Sequence, residues 1–313
     1  MNTSDLAISV KGLQKSFKDK KVLNNVNFEV EKGAIYSLLG SNGAGKTTTI
    51  KILTTLARPD AGVINVCQYD VTKEPERVRR VISLTGQYAS VDESLTGMEN
   101  LLLIGRLNHV VNPGKRAAEL LDYFDLTDAS KRFVSTYSGG MRRKLDIAMG
   151  LMNRPEIIFL DEPTTGLDPQ SRRSMWKIIK DLNQLGVTIF LTTQYLEEAE
   201  QLADRIAILD KGAILVEGTA AVLKGMLPQG ILEFTFNDKN SYELALGLTS
   251  EYKVVALSDE CKMSLYTDGT AEILTRLFQS FAVHGIDVKE FSQKLPTLED
   301  VFLTLIGEKE NLK

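Results

Sequence analysis

Ten consecutive residues, Gly40-Ser41-Asn42-Gly43-Ala44-Gly45-Lys46-Thr47-Thr48-Thr49, carry the chemistry most directly legible in this chain. They fit the pattern G-x-x-x-x-G-K-[ST], in which glycines let a loop wrap closely around a polyphosphate. Lys46 is then placed to reach the β- and γ-phosphate oxygens, and the Thr47 hydroxyl to ligate Mg²⁺. Further along, Ile157-Ile158-Phe159-Leu160 runs into Asp161-Glu162-Pro163. An apolar strand ending in a carboxylate is the usual metal partner of such a loop, which assigns Asp161 to Mg²⁺. Glu162, directly after it, is positioned to orient or deprotonate an attacking water. A third group, Tyr137-Ser138-Gly139-Gly140-Met141, opens a helix with Ser138 as N-cap. Its two glycines leave the first helical N–H groups open to a ligand oxygen. Together these residues describe a site for a nucleoside triphosphate.

The elements that must position them follow from periodicity. Ala34–Leu39 has the length and apolar character of a buried strand. Thr48–Ala57 places Ile50, Leu53, Thr54 and Leu56 on one helical face. A strand, a glycine loop and a helix N-terminus in series make an anion site, because the first helical N–H groups lack intrahelical partners and the dipole favours negative charge. Upstream, Leu6–Val10 and Val26–Val30 alternate in strand fashion around the polar turn Lys18-Asp19-Lys20-Lys21. Phe17, at the edge of that turn, has two readings: a packing anchor, or a platform on which an adenine stacks. Downstream, Pro59-Asp60-Ala61-Gly62 is a turn before the strand Val63–Val66, and Val81–Leu84 leads into Gln87. Ser94 to about Arg154 turns helical, which predicts a helical insertion in an α/β domain. Gln170–Leu185 is amphipathic, with Trp176 read as a packing residue, and Val187–Leu191 and Ile206–Leu209 read as strands around a helix from Leu196 to Leu202.

Past Gly225 the character changes. Strand, helix, two strands, helix and strand follow one another between Ile231 and Phe291, an order that predicts a small ferredoxin-like unit. Thr297 and Asp300 have the spacing of a capping box before a last helix, with a shorter acid than usual.

Composition narrows the function classes. A chain of 313 residues has room for two domains. Its net charge of −4 argues against a nucleic-acid binder that relies on positive charge. Two distant cysteines, Cys67 and Cys261, read as inert thiols in a reducing compartment. Two isolated histidines, His109 and His284, argue against a histidine-rich metal centre or histidine base. No apolar run reaches the ~20 residues that span a bilayer, and the N-terminus lacks a signal-peptide core, so the expectation is a cytoplasmic chain able to sit on a membrane protein.

Taken in order, Gly40–Thr48, Gln87, Ser138-Gly139-Gly140, Leu160-Asp161-Glu162-Pro163 and Thr165-Gly166-Leu167-Asp168 resemble an ATP-binding-cassette (ABC) ATPase over roughly residues 6–220. The segments Tyr88–Glu93 and Thr192–Ala199 are similar to one branch, the bacterial drug-resistance exporter ATPases of the daunorubicin type. The resemblance implies an α/β P-loop NTPase cassette with a RecA-like core, an antiparallel β subdomain and a helical subdomain (about 94–154), spanning 1–225. A C-terminal α+β domain over 226–313 would follow, and exporters of this branch often end in a similar Leu-Glu-Asp-Val-Phe segment. The resemblance also implies roles. Phe17 takes the adenine-stacking position. Gln87 takes the position of a glutamine that touches Mg²⁺ or water and links nucleotide to membrane partner. Ser138, Gly139 and Gly140 match the signature that holds the γ-phosphate of ATP bound to a second subunit, and Asp168 matches an aspartate at the dimer seam. Two positions depart from the pattern. Tyr137 and Met141 flank the signature where Leu and Gln are general, and Gln194 stands where most members have histidine. A glutamine hydrogen-bonds but cannot become cationic, which shifts the catalytic burden towards Glu162.

The implied function is ATP binding and hydrolysis, with Mg²⁺, by the homodimeric subunit of an exporter for drug-like or other amphiphilic compounds. It would act beneath a separately encoded polytopic permease, peripheral on the inner face of the cell membrane and without nucleic acid. Two rivals stand beside it: a soluble ABC ATPase acting on nucleic acid or ribosomes, and a self-resistance protein that binds the drug itself. No second cassette, coiled-coil insertion or basic surface supports the first.

Overall fold

The computed structural model describes residues 5–227 and 230–310. The phosphate loop leaves a strand that lies in the middle of a sheet, and the chain builds outward from it. First comes a long antiparallel hairpin, β1 (Leu6–Phe17) and β2 (Lys20–Glu31), then β3 (Ile35–Leu39) and α1 (Lys46–Leu53). β4 (Ala61–Val66) and β5 (Tyr69–Asp70) complete an antiparallel sheet in the order β2-β1-β4-β5. The strands run further than the alternation predicts, because β1 shifts register against β2 between Val10 and Leu13, where Gly12 takes a φ of 66°. An extra residue at such a bulge breaks the period-2 signal without ending the strand.

A second sheet carries the site. α2 (Pro75–Val81) precedes β6 (Ile82–Thr85), followed by α3 (Gly97–Leu107), α4 (Pro113–Tyr123) and α5 (Gly139–Gly150) of the helical region. The chain returns through β7 (Ile157–Asp161), α6 (Pro169–Gln184), β8 (Thr188–Thr193), α7 (Leu196–Leu202), β9 (Arg205–Asp210) and β10 (Ala213–Gly218). The sheet order is β10-β9-β3-β8-β7-β6, with β9 to β6 parallel and β10 antiparallel on one edge. β3, β7 and β8 are buried along their whole length, as a parallel sheet covered on both faces requires. A ladder of rings joins the two sheets: Phe28 stacks on Tyr36 at 5.3 Å, Tyr36 on Phe190 at 5.5 Å, and Phe159 meets Phe190 at 5.6 Å.

Two local expectations are corrected. The helix after the phosphate loop stops at Leu53 rather than near Ala57, because the Thr54 hydroxyl bonds back to the Ile50 carbonyl at 2.8 Å and Thr55 turns to a φ of 65°. Leu56 is therefore 63% exposed instead of on the buried face. Trp176 packs as expected, but its indole N–H also donates to the buried Glu198 carboxylate at 3.1 Å.

Contacts divide the chain after Thr219. The second unit begins with α8 (Ala220–Lys224), ahead of the boundary expected after Gly225; it packs against the last helix, α11 (Leu298–Glu310). Between them lie β11 (Gly230–Phe236), α9 (Lys239–Leu248), β12 (Lys253–Leu257), β13 (Lys262–Thr267), α10 (Ala271–Val283) and β14 (Val288–Lys294). The antiparallel order β12-β13-β11-β14 is that of a ferredoxin-like sheet. Its core gathers Phe234, Phe236 and Phe281 beneath α9 and α10. Thr297 and Asp300 make the reciprocal capping box: the Thr297 N–H donates to Asp300 Oδ2 at 2.8 Å, and the Asp300 N–H to Thr297 Oγ1 at 3.2 Å.

Candidate active site

β3 delivers the loop and α1 receives it. Gly45, the N-cap of α1, sits at a φ of 114°, and a Cβ there would lie 2.7 Å from Leu23 Cδ2. Only glycine satisfies both that dihedral and that approach. The loop opens on a cavity of about 320 Å³, lined by Ser41, Asn42, Gly43, Gly45, Lys46, Thr47 and Thr48 together with Gln87 and Glu162. Gly40 and Ala44 hold the loop from behind; Ala44 is buried. Lys20 and Val22 of β2 form the remaining wall.

Lys46 is only 4% exposed, and its ammonium is fully engaged. It donates to the Gly40 carbonyl at 2.8 Å and to the Ser41 carbonyl at 3.2 Å, and it lies 3.2 Å from Glu162 Oε1. Three donors meet three oxygens, so an incoming phosphate competes with these partners for the same protons. Glu162 is 7% exposed, and its second oxygen accepts from Gln87 Nε2 at 3.4 Å and from Thr165 Oγ1 at 3.2 Å. Its backbone has a φ of 49°, in the left-handed region that non-glycine residues seldom occupy.

Beside this pair lies a set of hard oxygen donors. Thr47 Oγ1 is 3.4 Å from Asp161 Oδ1, which also accepts from Thr192 Oγ1 at 2.6 Å. A hydroxyl and a buried carboxylate converging at the mouth of a phosphate cavity fit Mg²⁺, which prefers one or two protein oxygens plus phosphate and water. Thr192 was not singled out from the sequence. It lies opposite Asp161 in the β7–β8 register, a pairing visible only once the strand order is known.

The remaining sequence candidates lie elsewhere in the unit. Ser138 caps α5 by accepting from the Met141 N–H at 3.3 Å, and with Gly140 it borders a separate cavity of about 210 Å³; Gly139 is the first residue of α5. Asp168 caps α6, accepting from the Gln170 and Ser171 N–H groups at 3.0 and 2.9 Å. The Ser171 hydroxyl, also donating to it, holds its carboxyl below the usual range. Gln194 is half-buried in the turn after β8 and does not line the phosphate cavity. Tyr137, the departure at the signature, is buried: its hydroxyl donates to the Ala129 carbonyl at 2.6 Å, and a Cβ on Gly97 would meet that hydroxyl at 2.3 Å. The larger ring is thus accommodated by a glycine one helix away.

Phe17 is 52% exposed at the end of β1, with the Lys15 ammonium 5.3 Å from its ring centroid. Phe17 itself does not line the cavity, but it pairs with Lys20, which does, on the hairpin that forms one wall. Phe17→Ala is expected to weaken ATP binding by about 1–3 kcal/mol, the value of one base–aromatic stack, with little change in turnover at saturating ATP. Titration with a fluorescent ATP analogue checks it; unchanged affinity would return the ring to a packing role.

A glycine loop with a buried lysine, a hydroxyl–carboxylate pair and an adjacent buried glutamate define a P-loop nucleotide hydrolase. Comparison with known proteins narrows the class. Residues 23–165 match the ABC transporter family. The chain is 46% identical, over 98% of its length and 94% of the relative's, to the daunorubicin/doxorubicin resistance ATP-binding protein DrrA of Streptomyces peucetius. Among solved structures, it resembles an ATP-binding subunit of an ABC transporter (30% identity, TM-score 0.64, 70% of this chain and 92% of the other). It also resembles an ATP-binding cassette in a dimeric post-hydrolysis state bound to ADP and Pi (27% identity, TM-score 0.62, 68% of this chain and 98% of the other). The chain belongs to the ATP-binding subunits of ABC transporters and is an ATPase.

Proposed function

We propose that this chain powers efflux of a drug-like amphiphile through a separately encoded membrane permease, working as an ATP-sandwich homodimer on the inner face of the cell membrane. The observation that carries the dimer is the separation of the two anion sites. The Ser138–Gly140 helix start opens on its own cavity, apart from the one beside Lys46. One γ-phosphate meets both groups when each comes from a different copy. Asp168, at the start of α6 and also near that second cavity through Ser171, then lies at the seam.

Within each site Lys46 binds the phosphates and Phe17 stacks on adenine. Thr47 and Asp161, with Gln87, hold Mg²⁺, which when bound neutralises charge on the β- and γ-phosphate oxygens. Glu162 positions the attacking water, and Gln194, outside the cavity of the single chain, takes the switch position that its likeness to the family implies, hydrogen-bonding without a change of charge. Hydrolysis removes the bridge between copies, so the two dimer states differ in affinity for ATP and ADP. The export reading rests on likeness to a daunorubicin/doxorubicin resistance protein over almost the whole chain. No helix among the described residues is long and apolar enough to cross a membrane.

The test is co-expression with a candidate polytopic permease from the same genome, followed by ATP-driven uptake of fluorescent daunorubicin into inverted vesicles. Uptake that requires ATP, this chain and its partner is the expected result. Drug binding by the purified chain alone, with no vesicle uptake, would favour the self-resistance reading instead.

A further inference from the structure

Arg143 lies in the second turn of α5, three residues beyond the Ser138–Gly140 helix start, and is 5% exposed. Its guanidinium is spent entirely inside the protein. Nε donates to the Pro163 carbonyl at 3.0 Å and Nη2 to the Asp161 carbonyl at 3.3 Å, the two carbonyls on either side of Glu162. Nη1 donates to the Gly86 carbonyl, immediately before Gln87, and lies 3.5 Å from Asp146 Oδ2. Asp146 in turn accepts from the Ser90 N–H at 3.1 Å, on the other side of Gln87. One buried side chain therefore grips the backbone flanking both Glu162 and Gln87, whose side chains meet each other at 3.4 Å over the phosphate cavity.

Glu162 needs such a grip. Its φ of 49° is a conformation that a free chain would leave, and its own N–H is anchored by the Thr192 carbonyl at 3.1 Å. Arg143 supplies the remaining constraint on the flanking carbonyls. The planar fork of a guanidinium satisfies acceptors in three directions at once, which a lysine ammonium at the same place does not reproduce.

We propose that Arg143 is the positioning residue that sets the catalytic geometry of Glu162 and Gln87 from the signature helix, so that displacement of the Ser138–Gly140 helix start is transmitted to both. It does not line the phosphate cavity and acts through the backbone it holds. The inference rests on the role proposed for Glu162, and the experiment separates the two. Asp146, which burial pushes to about 6, orients the guanidinium from behind and serves as a second handle.

Full-length Arg143→Lys, Asp146→Asn, Glu162→Gln and the double variant Arg143→Lys/Glu162→Gln are compared by ATP-analogue affinity, KM and kcat. Arg143→Lys is expected to keep nucleotide affinity and KM within twofold while kcat falls tenfold or more, and Asp146→Asn to lower kcat severalfold at unchanged KM. Because Arg143 acts in large part through Glu162, the losses of the two single variants should fall well short of multiplying in the double variant. The inference is overturned by kcat within twofold of the parent in Arg143→Lys, by affinity and kcat falling together, or by losses that multiply in the double variant. Should Arg143→Lys fail to fold, Asp146→Asn with unchanged kcat overturns it equally. Near-parental turnover in Glu162→Gln would instead overturn the role given to Glu162 itself.

Discussion

Glu162→Gln is expected to hydrolyse ATP at least about 100-fold more slowly while binding it as tightly as the parent or more so. General-base catalysis contributes on the order of 10²–10⁴ in rate, and the amide removes that basicity while keeping the shape. The binding half of the expectation comes from the ion pair. Glu162 lies 3.2 Å from the Lys46 ammonium, with both groups buried, so the carboxylate competes with a phosphate for the same cation. A neutral amide competes less. Phosphate-release kinetics and analogue titration check the two halves separately. Turnover above about a tenth of the parental rate would remove Glu162 from the role of principal base.

Lys46→Ala should do the reverse, weakening binding and also the fold. The ammonium satisfies the carbonyls of Gly40 and Ser41 and faces a carboxylate that is only 7% exposed. Its loss strands Glu162 as a buried charge without a cation, a defect that costs about 3–5 kcal/mol. In a unit of this size the corresponding fall in melting temperature is on the order of 10 °C. Loss of the charge-assisted contacts to phosphate should weaken ATP binding by about 100-fold or more. Adding Glu162→Gln to Lys46→Ala should restore most of the stability and none of the affinity. A single variant as stable as the parent would mean that Glu162 is not stranded, and that water or a proton compensates it.

What the sequence made legible was whatever rests on local chemistry. The phosphate loop is announced by glycines whose dihedrals and close approaches are visible as residue types, and Asp161-Glu162 by the apolar run of β7 before them. The ferredoxin-like order followed from alternating strands and two amphipathic helices. What stayed hidden rests on contacts distant in sequence. In the basic triplet Arg142-Arg143-Lys144, Arg142 reaches Glu93 near the surface while Arg143 is buried beside the site. Nothing in the triplet distinguishes the two. Thr192 acquires its partner Asp161 only across the β7–β8 register. α8 looked like the tail of the cassette because Gly225 and Pro228 follow it, but its packing partner, α11, lies at the far end of the chain. α2 was missed because Val78 alone is buried in it, too little to make a period.

The central place of β3 has a consequence for how this protein is made. Its neighbours are β8 and β9, pairing Ile35 with Ile189 and Tyr36 with Arg205, while the Ile35 N–H donates to the Asp204 side chain at 2.8 Å. The strand that carries the phosphate loop thus has no lateral partner until β8 has been made, and lacks its second until the ribosome has passed Asp210; contacts so distant in sequence are slow to form. At about 5–20 residues per second, the nascent chain spends roughly 10–30 s with the loop synthesised and its scaffold unfinished. During that interval the antiparallel sheet β2-β1-β4-β5 is what the N-terminal segment can complete from its own residues. Nucleotide binding is therefore a late event in biogenesis, and a truncated product ending before β8 exposes an apolar strand rather than a working pocket.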